Sequence, residues 1–380
     1  MNPPPMHLTA HDRLRSQGVA IARWLLACAL LCFLMLVIGG LTRLTGSGLS
    51  IVEWRPVTGA VPPLDLRDWA VLFEQYRQSP QFRIENAHMT LEGFRRIFWW
   101  EYIHRLLGRV TGLVFALPLL WFWRKGQLPT TLRVRLPAIF TLGAAQGVMG
   151  WLMVKSGLVE DPRVSPVRLA LHLGLAFVLV GLLVRTALTV REGAAPPARP
   201  PSVLARSADA LAATVFVMAL SGALVAGNHA GLAFNTWPLM AGSLVPAGLF
   251  PLQPWYLGAL LDVTTVQFDH RALALVLALA VPGFWIASLR APIDRRSRRW
   301  CHLVMATFLA QFSLGVATLL LAVPLALASL HQANSMLFFV ATLGAGHALR
   351  RSPTVELQGR ALSDAIDHHG APDGGDSVEA

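Results

Sequence analysis

Eight long apolar stretches decide most of what this chain can become. They run at about 20–42, 97–123, 136–155, 167–188, 208–227, 266–289, 300–323 and 328–348. Each is close to the ~20 residues a helix needs to cross a bilayer. In hydrocarbon every backbone polar group must find a partner inside the protein, so runs of this length read as helices. The expected fold class is therefore an all-α integral membrane protein with eight transmembrane helices. Composition agrees, with 54% of the 380 residues hydrophobic and 14% charged, which excludes a soluble enzyme built on one large core. The formal charge of +11 raises nucleic acid as a partner. The basic residues sit between the spans instead, so no nucleic acid is expected.

Charge also orients the chain. Basic clusters occupy the N-terminal segment, 124–135, 190–206, 290–299 and the segment after the last span, whereas 229–264 and the turn near Pro324 have no Lys or Arg. By the positive-inside rule both termini are cytoplasmic, in a multi-pass protein of the cell inner membrane. The 43–96 loop carries several Arg, but long loops translocate largely regardless of charge. Within it Trp69, Phe73 and Tyr76 are spaced as an amphipathic helix, expected to lie on the membrane surface. The first run follows Arg13, Arg15 and Arg23 and lacks a small-residue cleavage site, so it reads as a retained helix. Cys28, Cys32 and Cys301 all fall inside spans and read as packing residues, with no exported disulfide.

The two halves of the chain repeat. Gly39, Gly48-Leu49 and Trp54 match Gly222, Gly231-Leu232 and Trp237 at one constant offset. His104-Arg105 matches His270-Arg271, Gln146 and Gly150 match Gln311 and Gly315, and His172 matches His331. Four matches in one order predict two four-helix bundles, related by a pseudo-twofold axis along the membrane normal. The segments are a cytoplasmic tail at 1–19, a first unit at 20–189, a linker at 190–207, a second unit at 208–349 and a disordered tail at 350–380.

The chemistry concentrates in Trp99-Trp100-Glu101-Tyr102-Ile103-His104-Arg105-Leu106-Leu107-Gly108-Arg109. Ionisable groups at membrane depth are costly and mark working sites. Glu101, His104, Arg105 and Gly108 share one helical stripe, and Gly108 is expected to leave room for something large and flat. His104, His172, His270 and His331 each open an even-numbered span, so all four are placed at one depth near the outer surface. Two imidazoles from facing helices of a bundle make the axial pair of a haem. Two ligands per unit without cysteine suit zinc poorly. Arg105 and Arg271 are expected to meet propionates, with snorkelling as the alternative. Gln146 and Gln311 are expected to tie helices together. His7, His11, His368 and His369 fall in tails, His302 and His347 near cytoplasmic span ends, and His88 and His229 in outer loops; none is assigned chemistry, with the lining of a haem pocket as the alternative for His88 and His229.

One difference between the halves assigns their roles. Glu101 stands three residues before His104, and Gln267 three before His270. Holding a cofactor needs no buried acid, whereas moving protons or stabilising a developing cation does. Reaction is therefore expected in the first half and a resident haem in the second. The structural alternative is that Glu101 only pairs with Arg105, one turn on.

Glu101-x-x-His104-Arg105, the stretch Gly39-Gly40-Leu41-Thr42-Arg43-Leu44-Thr45-x-Ser47-Gly48-Leu49-Ser50, Asn235-Thr236-Trp237-Pro238-Leu239-Met240 and Gln267-Phe268-Asp269-His270-Arg271 resemble the haem A synthase family. The resemblance covers about 20–348 and is closest to the form without paired loop cysteines. It implies oxidation of the C8 methyl of haem O to a formyl group, through hydroxylated intermediates, to make haem A for cytochrome oxidase. It implies haem b as cofactor on His270 and His331, and haem O as substrate facing His104 and His172, with Glu101 assisting. It also implies a lipid-facing opening for the farnesyl tail, an electron acceptor the sequence does not identify, and room for a haem O synthase or a second copy of the chain as partners. Two rivals are a dihaem electron-transfer cytochrome, against which Glu101 beside one pair only argues, and a transporter, against which the unbroken spans argue.

Overall fold

The computed structural model describes residues 10–193 and 202–352, with side chains from Ser16 onward. His7, His368, His369, the His11 side chain, residues 194–201 of the linker and nearly all of the C-terminal tail lie outside that description. Among the described residues eight helices are long and apolar enough to cross a membrane, and all eight match the expected spans. They are α1 (Ala10–Leu44), α4 (Leu91–Arg124), α5 (Thr130–Ser156), α6 (Pro166–Glu192), α7 (Val203–Gly227), α9 (Val263–Arg290), α10 (Arg295–Leu320) and α11 (Leu325–Arg351). Three short helices complete the set: α2 (Leu66–Arg77), α3 (Pro80–Ile84) and α8 (Trp255–Leu261). Helix α1 begins inside the segment expected to be a tail, and α6 and α7 each reach into the expected linker.

Local chemistry sets the helix starts. Thr90, Ser165, Ser202 and Asp262 each accept a hydrogen bond from a backbone N–H in the first turn of α4, α6, α7 and α9. Such caps satisfy donors that the helix itself leaves unpaired. Asp294 caps α10 by accepting from the N–H groups of Arg296 and Ser297.

The helices of each half pack in the same cyclic order. In the first, α1 meets α4, α4 meets α5, α5 meets α6 and α6 returns to α1; in the second, α7, α9, α10 and α11 do likewise. The halves meet along α6 with α7 and α1 with α11. Those four helices form the central layer, and α5 is the least buried of the spans, followed by α4 and α10 equally. The core between the halves is aromatic and aliphatic: Phe177, Phe216 and Phe339 cluster there, with Phe177 and Phe339 centroids 5.3 Å apart. Gln332 of α11 donates to the carbonyl of Leu36 on α1 at 3.0 Å. At the end of the bundle near the linker, Glu192 of α6 pairs with Arg296, His347 and Arg351 of the second half.

Helix α2 differs from its expected place. Trp69 and Tyr76 are buried against Phe94 and Phe98 of α4, so its apolar face lies on protein rather than on lipid. Helix α4 starts early, at Leu91, and that extra length is the platform on which α2 rests. Burial lifts the Tyr76 hydroxyl above its usual pKa range, and Asn86 donates to it at 2.8 Å.

Candidate functional site: two pairs of histidines

Each of the four expected histidines faces a glycine of the neighbouring helix in its own half. A Cβ built on Gly39 of α1 would stand 2.9 Å from His104 Cε1, and one on Gly150 of α5 would stand 3.0 Å from His172 Cε1. In the second half the same relation joins Gly222 to His270 at 3.2 Å and Gly315 to His331 at 2.9 Å. All four glycines already matched across the repeat, yet only packing shows that they seat the rings. His104 and His172 lie within electrostatic range of each other, as do His270 and His331. The sequence is thus brought together as two pairs, one per half.

Gly108 has a different task from the one expected. A Cβ there would meet Met35 Cε of α1 at 3.4 Å, so the space beside it is filled by a side chain.

The two pairs differ in what supports them. His270 Nδ1 lies 3.3 Å from Ser221 Oγ, and the Gln311 amide nitrogen lies 3.2 Å from His331 Nδ1. In the first half the residue matching Ser221 is Ile38, and Gln146 donates instead to the His172 backbone carbonyl at 2.9 Å. Among the described residues neither His104 nor His172 has a polar side chain behind its ring; backbone of Met35 and of Gln146 faces them. Gln311 also accepts from Asn334 at 2.9 Å, so both glutamines do tie helices together.

Glu101 is 2% exposed and fully engaged. Its Oε2 accepts from Ser50 Oγ at 2.7 Å and from the Ile51 N–H at 2.8 Å. Its Oε1 accepts from Arg105 Nε at 3.1 Å and Nη2 at 2.6 Å. The ion pair with Arg105 is therefore present, together with a clamp on the loop after α1. Gln267 keeps only a 3.2 Å bond from its amide nitrogen to the Phe234 carbonyl, and its oxygen is buried unpaired.

Arg105 and Arg271 are largely spent on backbone. Arg105 donates to the carbonyls of Ile51 at 2.8 Å and Glu53 at 3.1 Å. Arg271 donates to the matching carbonyls of Phe234 at 2.7 Å and Thr236 at 2.9 Å. Its Nε is buried without a partner. Arg109 adds two more clamps, to Pro56 and Arg55 carbonyls at 2.8 and 2.9 Å. These loops are irregular, and buried carbonyls need donors, so the guanidinium forks hold each loop against its histidine-bearing helix.

The other histidines stay apart from the pairs. His302 accepts from Trp285 Nε1 at 3.0 Å, and His347 meets Glu192. Burial, then Arg43 and Arg163, push the His229 imidazole below its usual pKa range. Among the described residues no group of three or more His, Cys, Asp or Glu is gathered to hold a metal ion. Paired imidazoles over glycine seats suit the flat face of a haem better than a tetrahedral ion.

Fold and site define a class: a multi-pass α-helical membrane protein of two four-helix halves, each carrying one imidazole pair. The sequence matches the COX15-CtaA family, described as cytochrome oxidase assembly protein, over residues 22–343. A heme A synthase of Nitrosospira multiformis is 50% identical over 337 residues, covering 87% of this chain and 94% of that protein. One from Nitrosomonas eutropha is 48% identical over 339 residues, covering 87% and 94%. One from Parvibaculum lavamentivorans is 45% identical over 344 residues, covering 90% and 98%. The chain belongs to the COX15-CtaA, or haem A synthase, family.

Proposed function

We propose that the chain is a haem A synthase, an oxidoreductase that converts the C8 methyl of haem O to the formyl group of haem A. Family membership and the shared name of relatives at up to 50% identity support this activity. In this reading His270 and His331 ligate a resident haem b, and His104 and His172 face the iron of the substrate haem. The observation that carries the division is the acid: Glu101 is buried three residues before His104, where Gln267 stands before His270. A permanent metal ligand has its second ring N–H held by an acceptor, and Ser221 Oγ, 3.3 Å from His270 Nδ1, is placed to accept it. In the first half Ile38 replaces Ser221, and only the Met35 backbone faces the His104 ring.

When bound, haem b supplies one-electron redox chemistry next to the substrate site. The remaining roles belong to side chains. Glu101 contributes a fixed negative charge one turn before His104. Both its oxygens are occupied, which favours stabilising a developing cation over carrying a proton. Arg105 and Arg271 hold loops over the two sites and keep water out. Arg271 Nε, buried and unpaired, is the donor left for a propionate; Arg105 keeps one Nη1 hydrogen for the same use.

The basic clusters support an inner-membrane location with both termini cytoplasmic. The matched packing order supports a pseudo-twofold relation between the halves. Haem O, from a haem O synthase, is the substrate, and a redox partner accepts the electrons. The test is expression with a source of haem O, followed by haem extraction and chromatography. Haem A is expected. Purified protein with two stoichiometric haem b and no haem A would instead identify a dihaem cytochrome.

A further inference from the structure

A cleft of about 300 Å³ opens between the loop after α1 and the last turn of α5. Its polar and aromatic wall is Glu53, Trp54, Arg105, Trp151 and Lys155. The rings of Trp54 and Trp151 are 6.3 Å apart. Arg105 lies 5.8 Å over Trp54, and Lys155 Nζ lies 5.2 Å over Trp151. The charges almost cancel. Arg105 is paired with Glu101 at 2.6 Å, and Glu53 is paired with Arg55 at 2.5 Å. Lys155 has no ion-pair partner among the described residues, so the cleft holds one uncompensated cation on an aromatic floor.

Its position is as informative as its charge. Arg105 follows His104, and Trp151 follows Gly150, the seat of His172. The cleft is thus walled by the residues next along the chain from His104 and from the seat of His172, while neither imidazole lines it. Matched from Gly150 to Gly315, Trp151 falls on Val316 and Lys155 on Leu320; matched from Trp54 to Trp237, Glu53 falls on Thr236. The second half lacks the cation and one of the two indoles.

We infer that the Lys155 cleft binds a carboxylate on the edge of the flat ligand held by His104 and His172, a propionate of the substrate haem, and so marks the first half for exchange. This rests on the proposed role of that half. A volume at the low end for small-molecule sites takes an edge, not a whole macrocycle. Indole faces suit a conjugated ring, and an ammonium suits its carboxylate. The phosphate of an anionic lipid headgroup is a second source of the same chemistry, since Lys and Trp also mark membrane interfaces.

The test uses the full chain with its resident haem, in phosphatidylcholine nanodiscs. Ferric protohaem and its dimethyl ester are titrated, following the Soret change that His104→Ala abolishes. Because Lys155 is exposed, a modest effect is expected. Lys155→Gln should weaken protohaem binding about five- to tenfold and leave the ester unchanged, while Lys155→Arg should restore binding. Equal protohaem affinity in Lys155→Gln, or equal loss for both ligands, overturns the proposal. So does a loss seen only when phosphatidylglycerol is added, which assigns Lys155 to lipid. Absence of any His104-dependent Soret change in the wild type is a separate outcome: it removes the first-half haem site itself, and this cleft's role with it.

Discussion

Gly315 lies directly under the imidazole of His331: a Cβ on that glycine would stand 2.9 Å from the ring's Cε1. Real Cβ atoms do not approach so closely, so the ring and the absent side chain occupy one space. The same relation holds at Gly39, at 2.9 Å, and in a looser form at Gly150 and Gly222, at 3.0 and 3.2 Å. Four glycines on α1, α5, α7 and α10 thereby set how far each imidazole can swing.

Gly315→Ala should displace His331 and lower retention of the resident haem about tenfold or more, read from the Soret absorbance per protein. Gly283→Ala on α9 is the matched control, since a Cβ there meets nothing within 4 Å. Equal haem content in the two variants would remove the seating role.

Ser221 should tune the resident haem without holding it. Ser221→Ala is expected to weaken haem binding about 10- to 100-fold, the usual cost of losing a partner behind a ligand, and to shift the midpoint potential. Redox titration of purified protein reads this directly. Ile38→Ala, at the matching place in the first half, should leave that potential where it was.

Glu101→Gln should reduce haem A formation about 100-fold or more, the scale of losing one electrostatic contact in a reacting site, while the resident haem stays bound. Chromatography of extracted haems gives both numbers from one sample. Full turnover in this variant would reduce Glu101 to its clamp on Ser50 and Ile51.

Arg271→Met should leave the Thr236 carbonyl without its donor and the Phe234 carbonyl with only the bond from Gln267. Each buried unpaired group costs about 1–3 kcal/mol, so the melting temperature should fall by several degrees. Arg271→Lys should recover little, because one ammonium cannot span both carbonyls as a fork does. A full rescue by Lys would show that charge, not geometry, holds the loop.

The sequence alone determined the eight spans, the duplicated order and the four histidines. Those signals are local: a membrane helix is written in ~20 consecutive residues, and a repeat is visible by laying the chain on itself. It also placed an acid beside one pair only. Contacts between segments distant along the chain decided the rest. Periodicity put Gly108 on the histidine stripe, but whether a glycine makes a gap or receives Met35 depends on the helix opposite. An Arg next to a ligand reads as a propionate partner until a folded loop presents Ile51, Glu53, Phe234 and Thr236 carbonyls to it. Trp54 and Lys155 became neighbours only when an irregular loop closed over the end of α5. Burial in lipid is a property of each segment's composition, whereas hydrogen bonds and cavities belong to pairs of segments, so only the tertiary structure could assign them.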